Sequence, residues 1–436
     1  LCRAAPGRAG RVSGTIARSI KAGLASPLLP IWLVPALLPF GRSAELGVFL
    51  SLVGAILLLV REPQAVRHHP GAKLFLWLFA AYAGAALVSA VDAVAPGKSW
   101  LTLAGILRFA PLGVYTCFAM RRPGKVRALY LATAVVVAIW AVDAWVQAIT
   151  GYGLAGVSNA ERLSGIFGAD NLKLGPALSA LSPFLLWGAR ARWGRRGLVA
   201  AFLLALGPVL LSGSRASWLC YGLVAIGFLW NEAKTPRRFA VACVAAAAAL
   251  ALVSALAWQV SPRFREHVER TLPALSGTRA GVDTALTGRL DIWTTSLRMF
   301  AAHPVNGVGV RGFRYAYPAV ANPGDHFLTM EKCADGEGAC HAHQVLLEVA
   351  TETGVIGLLA WLAASVLAVR TWWRAGVVAR YRAFPATLAL VAILFPLNTH
   401  MAFYSAWWGL LAAWLLSVWC AALFADLPDM EPRDGA

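Results

Sequence analysis

The chain has 436 residues, of which 59% are hydrophobic and only 14% charged, and its mean hydropathy is +0.64. A soluble globular domain carries about a quarter charged residues, so the composition excludes that class and points to an all-α polytopic membrane protein. A net charge of +18 raises nucleic acid as a partner, but the basic residues are not distributed as a nucleic-acid patch would require.

Apolar runs reach the ~20 residues needed to cross a bilayer and lack the alternation of barrel strands. About twelve spans are read, at 24–40, 44–60, 74–91, 99–119, 128–149, 171–189, 198–212, 216–230, 239–260, 344–369, 383–400 and 402–424. With the amino terminus in the cytoplasm, the basic clusters fall on one side: Arg3 to Lys21, Arg61 to Lys73, Arg121 to Arg127, Arg190 to Arg196, Lys234 to Arg238 and Arg370 to Arg382. The short loops opposite (41–43, 92–98, 151–170 and 212–215) hold only Arg42, Lys98, Arg162 and Arg215. This is the positive-inside pattern, and it assigns the charge to anionic lipid rather than to nucleic acid. Residues 1–23 are basic without a small-residue cleavage site after a short apolar core, so a retained cytoplasmic tail is expected; residues 425–436 form a second cytoplasmic tail. Trp32, Trp100, Trp187, Trp230, Trp258, Trp372 and Trp373 lie near span ends, where indole favours the interface. Within spans, Arg108 and Asp143 stand out, and each is expected to find a partner inside the bundle.

Between spans nine and ten lies a polar insert, 261–343, on the exported side, the periplasm if the cell is Gram-negative. A stretch of this length is usually functional or disordered. Leu290, Trp293, Leu297 and Phe300 recur at helical spacing and predict an amphipathic helix from Arg289 to Ala302 at the membrane surface. His303-Pro304 ends it, and Asn306 to Phe313 reads as a flexible, glycine-rich turn without the lysine of a nucleotide loop. Cys333 and Cys340 share the exported insert around a turn-rich spacer, which predicts a disulfide beside His341 and His343. The remaining five cysteines fall in the tail or in spans, as small apolar fillers.

The candidate chemistry lies at the exported surface. Arg215, in Leu211-Ser212-Gly213-Ser214-Arg215, is either a lone arginine reaching the headgroups or an anion clamp helped by Ser214 and backbone amides. Arg289 is either a solvated helix residue or a second clamp. Arg311 and Arg314 are further phosphate contacts or surface charge. His341 and His343 open span ten, and neutral imidazole is a suitable base for a sugar hydroxyl. If the helix begins at 341, His341 shares a stripe with Glu348 and Glu352, which favours His341 as the carboxylate-supported base. There is no His-Glu-x-x-His and no paired aspartates, so neither metal nor cofactor is expected.

Four motifs in order complete the reading. They are Ser-Gly-Ser-Arg (212–215), Thr-Gly-Arg-Leu-Asp-Ile-Trp (287–293), His-Pro-x-x-Gly-x-Gly with a nearby Phe (303–313), and His-Gln-x-x-Leu-x-x-x-x-x-Glu-Thr-Gly-x-x-Gly (343–357). Their order and spacing over about 160–360 resemble the O-antigen ligase and polymerase superfamily of envelope glycosyltransferases. The resemblance implies a GT-C-like membrane fold and a donor glycan on undecaprenyl diphosphate. It implies His343 as general base, with His341 second, and Arg215 and Arg289 as diphosphate ligands. Gln344 stands where the family usually has Asn. The implied transfer is inverting and metal-independent. Within the family a ligase with lipid A–core as acceptor fits the modest insert best; a polymerase, a protein glycosyltransferase and, from another class, a lipid-linked glycan flippase are the alternatives.

Overall fold

A computed structural model describes residues 26–157, 162–169, 171–260, 262–269, 272–286, 288–329 and 339–426. The chain is a polytopic α-helical membrane protein. Among the described residues, eight helices are long and apolar enough to cross a bilayer: Pro70–Ser89, Pro96–Ala119, Lys125–Thr150, Leu174–Leu211, Pro236–Val260, Val345–Arg374, Val377–Leu394 and Ala406–Leu423. The other expected spans also appear as helices, Leu29–Leu37, Glu45–Arg61 and Arg215–Ala233, and Leu174–Leu211 takes in two of them. Pro236–Val260 has no buried residue, with Val244 71% and Val260 78% exposed. An apolar helix open on all sides is stable only where lipid replaces water.

Arg108 does pair within the bundle, its Nη2 2.5 Å from Glu45 Oε1. Asp143 forms no ion pair among the described residues; its Oδ1 accepts the Leu154 N–H at 2.6 Å and so ties a two-residue hairpin, Tyr152–Gly153 and Gly156–Val157, to the helix end. Of the predicted interfacial indoles, Trp100, Trp230 and Trp373 are exposed, whereas Trp187 is buried against the Tyr130 ring at 5.2 Å.

Two glycines reverse the chain inside what look like continuous helices. Gly194 adopts φ 66°, ψ −155° and Gly354 adopts φ 64°, ψ −160°. Residues eight apart in a continuous helix are separated by about 12 Å. Yet a methyl group on Gly197 would stand 2.5 Å from the Ala189 carbonyl oxygen, and one on Gly357 would stand 3.4 Å from Val349 Cγ1. Leu174–Leu211 is therefore a tight hairpin, its turn held by Glu232, which binds Arg190 at 2.7 Å and Arg195 at 3.2 Å. The expected span 344–369 likewise divides, into a short buried arm from Val345 to Thr353 and a lipid-facing remainder.

The second break is stapled to the insert. Val308 and Gly309 N–H donate to the Thr351 and Glu352 carbonyls at 2.9 and 3.1 Å, while Val355 and Ile356 N–H donate to the Pro304 and Val305 carbonyls at 2.8 and 3.1 Å. The glycine-rich turn expected to be flexible is thus hydrogen-bonded on both sides, with Val308 and Val310 fully buried. The groups orphaned by breaking a helix need partners when buried, and this turn supplies them. The predicted helix Arg289–Ala302 is present, but its buried face is Ile292, Thr295, Ser296 and Met299, with Leu297 57% exposed. It packs into a separate small core with Val308, Phe313, Tyr317 and Ala342 instead of presenting the Leu290–Phe300 stripe to a neighbour.

The two breaks differ in what surrounds them. A methyl on Gly354 would stand 2.3 Å from Val305 backbone, whereas one on Gly194 would meet nothing within 4 Å. Gly194→Ala should therefore cost only the strain of a backbone conformation essentially confined to glycine, about 1–3 kcal/mol. Gly354→Ala should cost more and lower both melting temperature and the yield of monodisperse protein, as read by thermal unfolding and size exclusion in detergent.

Candidate functional site

Helix ends separated in sequence meet at the end of the bundle beneath the insert. Arg215 is the first residue of the helix Arg215–Ala233. Gly213 at φ +67° turns the chain into it, and Ser214 caps it, its Oγ accepting the Ser217 N–H at 3.2 Å and sharing a 2.6 Å hydrogen bond with Ser217 Oγ. Gly175 lets the neighbouring helix come this close, since a methyl there would lie 2.1 Å from Ser212 Oγ. Ser214 is thus occupied as a cap.

Arg289 opens the insert helix after Gly288 at φ +76°. The Leu290 N–H donates to Asp283 Oδ1 at 3.1 Å, and Arg289 Nη1 donates to the Leu286 carbonyl at 3.3 Å. Burial, then the charges of Arg215 and Arg162, bring the Arg289 guanidinium down to about 10. Three guanidinium groups drawn from 162, 215 and 289 thus form one half-buried positive centre, an arrangement that favours an anion.

The histidines flank that centre. His343 adopts φ 52°, unusual for a residue with a side chain. Its backbone N–H donates to His341 Nδ1 at 3.1 Å, and the two rings lie 3.9 Å apart between centroids. His343 Nδ1 lies 2.9 Å from the Thr399 carbonyl oxygen. A carbonyl can only accept, so Nδ1 carries the proton and Nε2 keeps its lone pair. His341 is the opposite tautomer, its Nδ1 already accepting and its proton on Nε2. Burial, followed by the charges of His343, Arg311, His400 and Arg289, holds His341 well below the ordinary histidine pKa. Its 3.7 Å approach to Glu348 Oε2 is therefore not an ion pair at neutral pH.

The helix does not begin at 341. It begins at Val345, with the Gln344 side chain accepting the Leu347 N–H at 2.5 Å, so Gln344 caps the helix. His341 reaches Glu348 from a loop, not along a helical stripe. Glu348 accepts the Tyr404 N–H at 3.4 Å, and Glu352 accepts the Arg311 N–H at 2.8 Å. The charges of Arg311 and Arg314 act on Glu352, and Arg314 is buried. Arg311 thus meets Glu352 through its backbone, and both guanidinium groups act on that carboxylate electrostatically. Cys340 is disulfide-bonded, while Cys333 lies outside the described residues; Cys117, Cys220, Cys243 and Cys420 are free.

Two residues of the cluster had no role in the motifs. Arg162 was visible only as one of the few basic residues on the sparse side of the topology. His400 comes from the loop before Ala406–Leu423 and carries no motif. Burial, then Arg289, His343 and Arg162, pull it to about 3. It borders an open cavity of about 800 Å³ lined also by Lys173 and Trp408.

His341 and His400 both have folded pKa values below the unfolded value near 6.5. The unfolded chain therefore binds protons first, and the stability of the neutral buried rings is complete above pH 6.5 and falls as pH drops toward the folded values. The melting temperature should decline steadily from pH 7 to pH 4, and His400→Gln should flatten part of that slope.

A family model described as O-antigen ligase matches residues 200–362. No curated protein matches the chain.

Proposed function

We propose that this member of the O-antigen ligase/polymerase superfamily transfers a glycan from undecaprenyl diphosphate to lipid A–core, as an O-antigen ligase of the bacterial inner membrane with its site on the periplasmic side. The observation that carries the reading is the convergence of Arg162, Arg215 and Arg289 on one half-buried centre that also acts on His400 alongside His343. A diphosphate leaving group needs its growing charge neutralised, and fixed guanidinium groups in a low-dielectric site meet that need without a metal.

The tautomers supply the proton's path. An acceptor hydroxyl loses its proton to His343 Nε2 as its oxygen bonds to the anomeric carbon. The bond from that carbon to the diphosphate oxygen breaks on the opposite face, and undecaprenyl diphosphate leaves with the electron pair, so the configuration inverts. Thr399 holds the Nδ1 proton and stabilises the imidazolium that forms, as a carbonyl partner does for a catalytic histidine. His341, with its proton on Nε2, suits support of the His343 backbone better than the role of base.

Arg215→Ala and Arg289→Ala should each lower transfer about 10²-fold or more, the scale for losing one preorganised charge donor. His343→Gln should abolish transfer while His341→Gln retains part of it. In-vitro transfer from lipid-linked glycan to core lipopolysaccharide measures all four, and near-normal rates in both arginine variants would sink the clamp. Loss of activity on chelation, restored by a divalent ion, would overturn the metal-free reading. A null cell should accumulate core-only lipopolysaccharide with polymeric glycan still on undecaprenyl diphosphate; single-repeat caps would indicate a polymerase instead.

A further inference from the structure

The cavity beside His400 is used by neither the clamp nor the base. Its volume of about 800 Å³ is in the range of pockets that enclose an organic ligand, and far exceeds what one phosphate fills. Phe167, Asn171, Lys173, His400 and Trp408 line it. The lining thus combines aromatic surface with an amide, a neutral imidazole and one ammonium, the mixture expected where a polyhydroxylated ring is held on its face and by its edges.

Lys173 is the unusual member. It is half-buried at the start of Leu174–Leu211, and burial lowers its pKa. Among the described residues no carboxylate pairs with it and no hydrogen-bond acceptor meets its three donors. One side is covered by the Trp407 ring, 5.1 Å from Nζ to the centroid. That ring is fixed by its own bond to the Leu38 carbonyl at 3.1 Å and by Trp408, edge-on at 4.6 Å. A half-buried ammonium with an aromatic face on its covered side is left for a ligand's anion to complete. Since Lys is a compact point charge, it suits a single phosphate or carboxylate, whereas the forked arginines suit the diphosphate.

We propose that this cavity is a glycosyl subsite for a sugar residue bearing an anionic substituent, phosphate or carboxylate, with Lys173 as counter-charge and Asn171, His400 and the aromatic walls holding the ring. Its place beside the reacting bond rests on the glycosyl-transfer reading above. The charged sugar belongs either to the acceptor glycan or to the donor glycan, and the kinetics separate the two.

Binding is measured first, on the full chain in nanodiscs, by saturation-transfer NMR with glucose 6-phosphate, glucuronate and glucose. Both anionic sugars should bind at least tenfold more tightly than glucose. Lys173→Met should remove that preference while glucose still binds, and Lys173→Arg should keep most of it. Equal binding of all three sugars overturns the proposal. So does a preference that survives Lys173→Met, as it would if Arg215 and Arg289 held the phosphate. This readout needs no transfer activity, so it stands apart from failure of the ligase reading. In the transfer assay, Lys173→Met should raise KM about tenfold for one substrate with kcat nearly unchanged. A rise for core lipopolysaccharide places the charged sugar on the acceptor, and a rise for the lipid-linked glycan places it on the donor. An unchanged KM for both overturns the proposal.

Discussion

The site depends on an exchange of backbone hydrogen bonds between 304–309 and 351–356. Breaking a helix at Gly354 orphans carbonyls and amides that the membrane end of a bundle cannot solvate. The turn after Pro304 meets them with two donors and two acceptors. That exchange fixes the arm from Val345 to Thr353, and with it the loop that carries His341 and His343. It also places Arg311 against Glu352. The glycines at 307, 309 and 354 are required because other atoms pass within a side chain's reach of each: a methyl group would stand 2.4 Å from Glu352 backbone, 2.2 Å from the Ala93 side chain and 2.3 Å from Val305 backbone respectively.

Around this staple the charges separate into two groups with different tasks. Arg311 and Arg314 lie on the side of Glu348 and Glu352, where cation and carboxylate offset one another and hold the arm. Arg162 and Arg215 both act on Arg289, and like charges brought together favour an anion. Both histidine-bearing loops border the second group. The mutual repulsion of the arginines and the raised φ of His343 are departures from local preference of the kind that concentrate at functional sites.

Much of the site was legible in the chain. Ser-Gly-Ser-Arg, Thr-Gly-Arg-Leu-Asp-Ile-Trp and His343-Gln344 pointed to Arg215, Arg289 and His343, because a helix start after glycine or a capping side chain is encoded within a few residues. The helix from Arg289 to Ala302 was read to the residue. Its buried face was not, because Ser296 satisfies its hydroxyl on the Ile292 carbonyl at 2.7 Å and Thr295 meets the Tyr317 side chain, so that both pass as core. Gly194 fell in the loop expected between 171–189 and 198–212, whereas Gly354 looked like an ordinary glycine of the span 344–369; nothing local distinguishes a glycine at a reversal from one at a close packing.

Composition and the spacing of apolar runs determined that this chain lives in a membrane as a helical bundle, since only helices and closed barrels hide their polar groups in lipid and these runs lack a barrel strand's alternation. The sequence alone also marked Arg215, Arg289, His341 and His343 as candidates. Only the tertiary structure decided which of them act together. Bringing Arg162 and His400 to Arg289, and choosing which nitrogen of His343 carries the proton, depends on contacts such as the Thr399 carbonyl at 2.9 Å. Those contacts join residues more than fifty positions apart, and periodicity carries no information at that range.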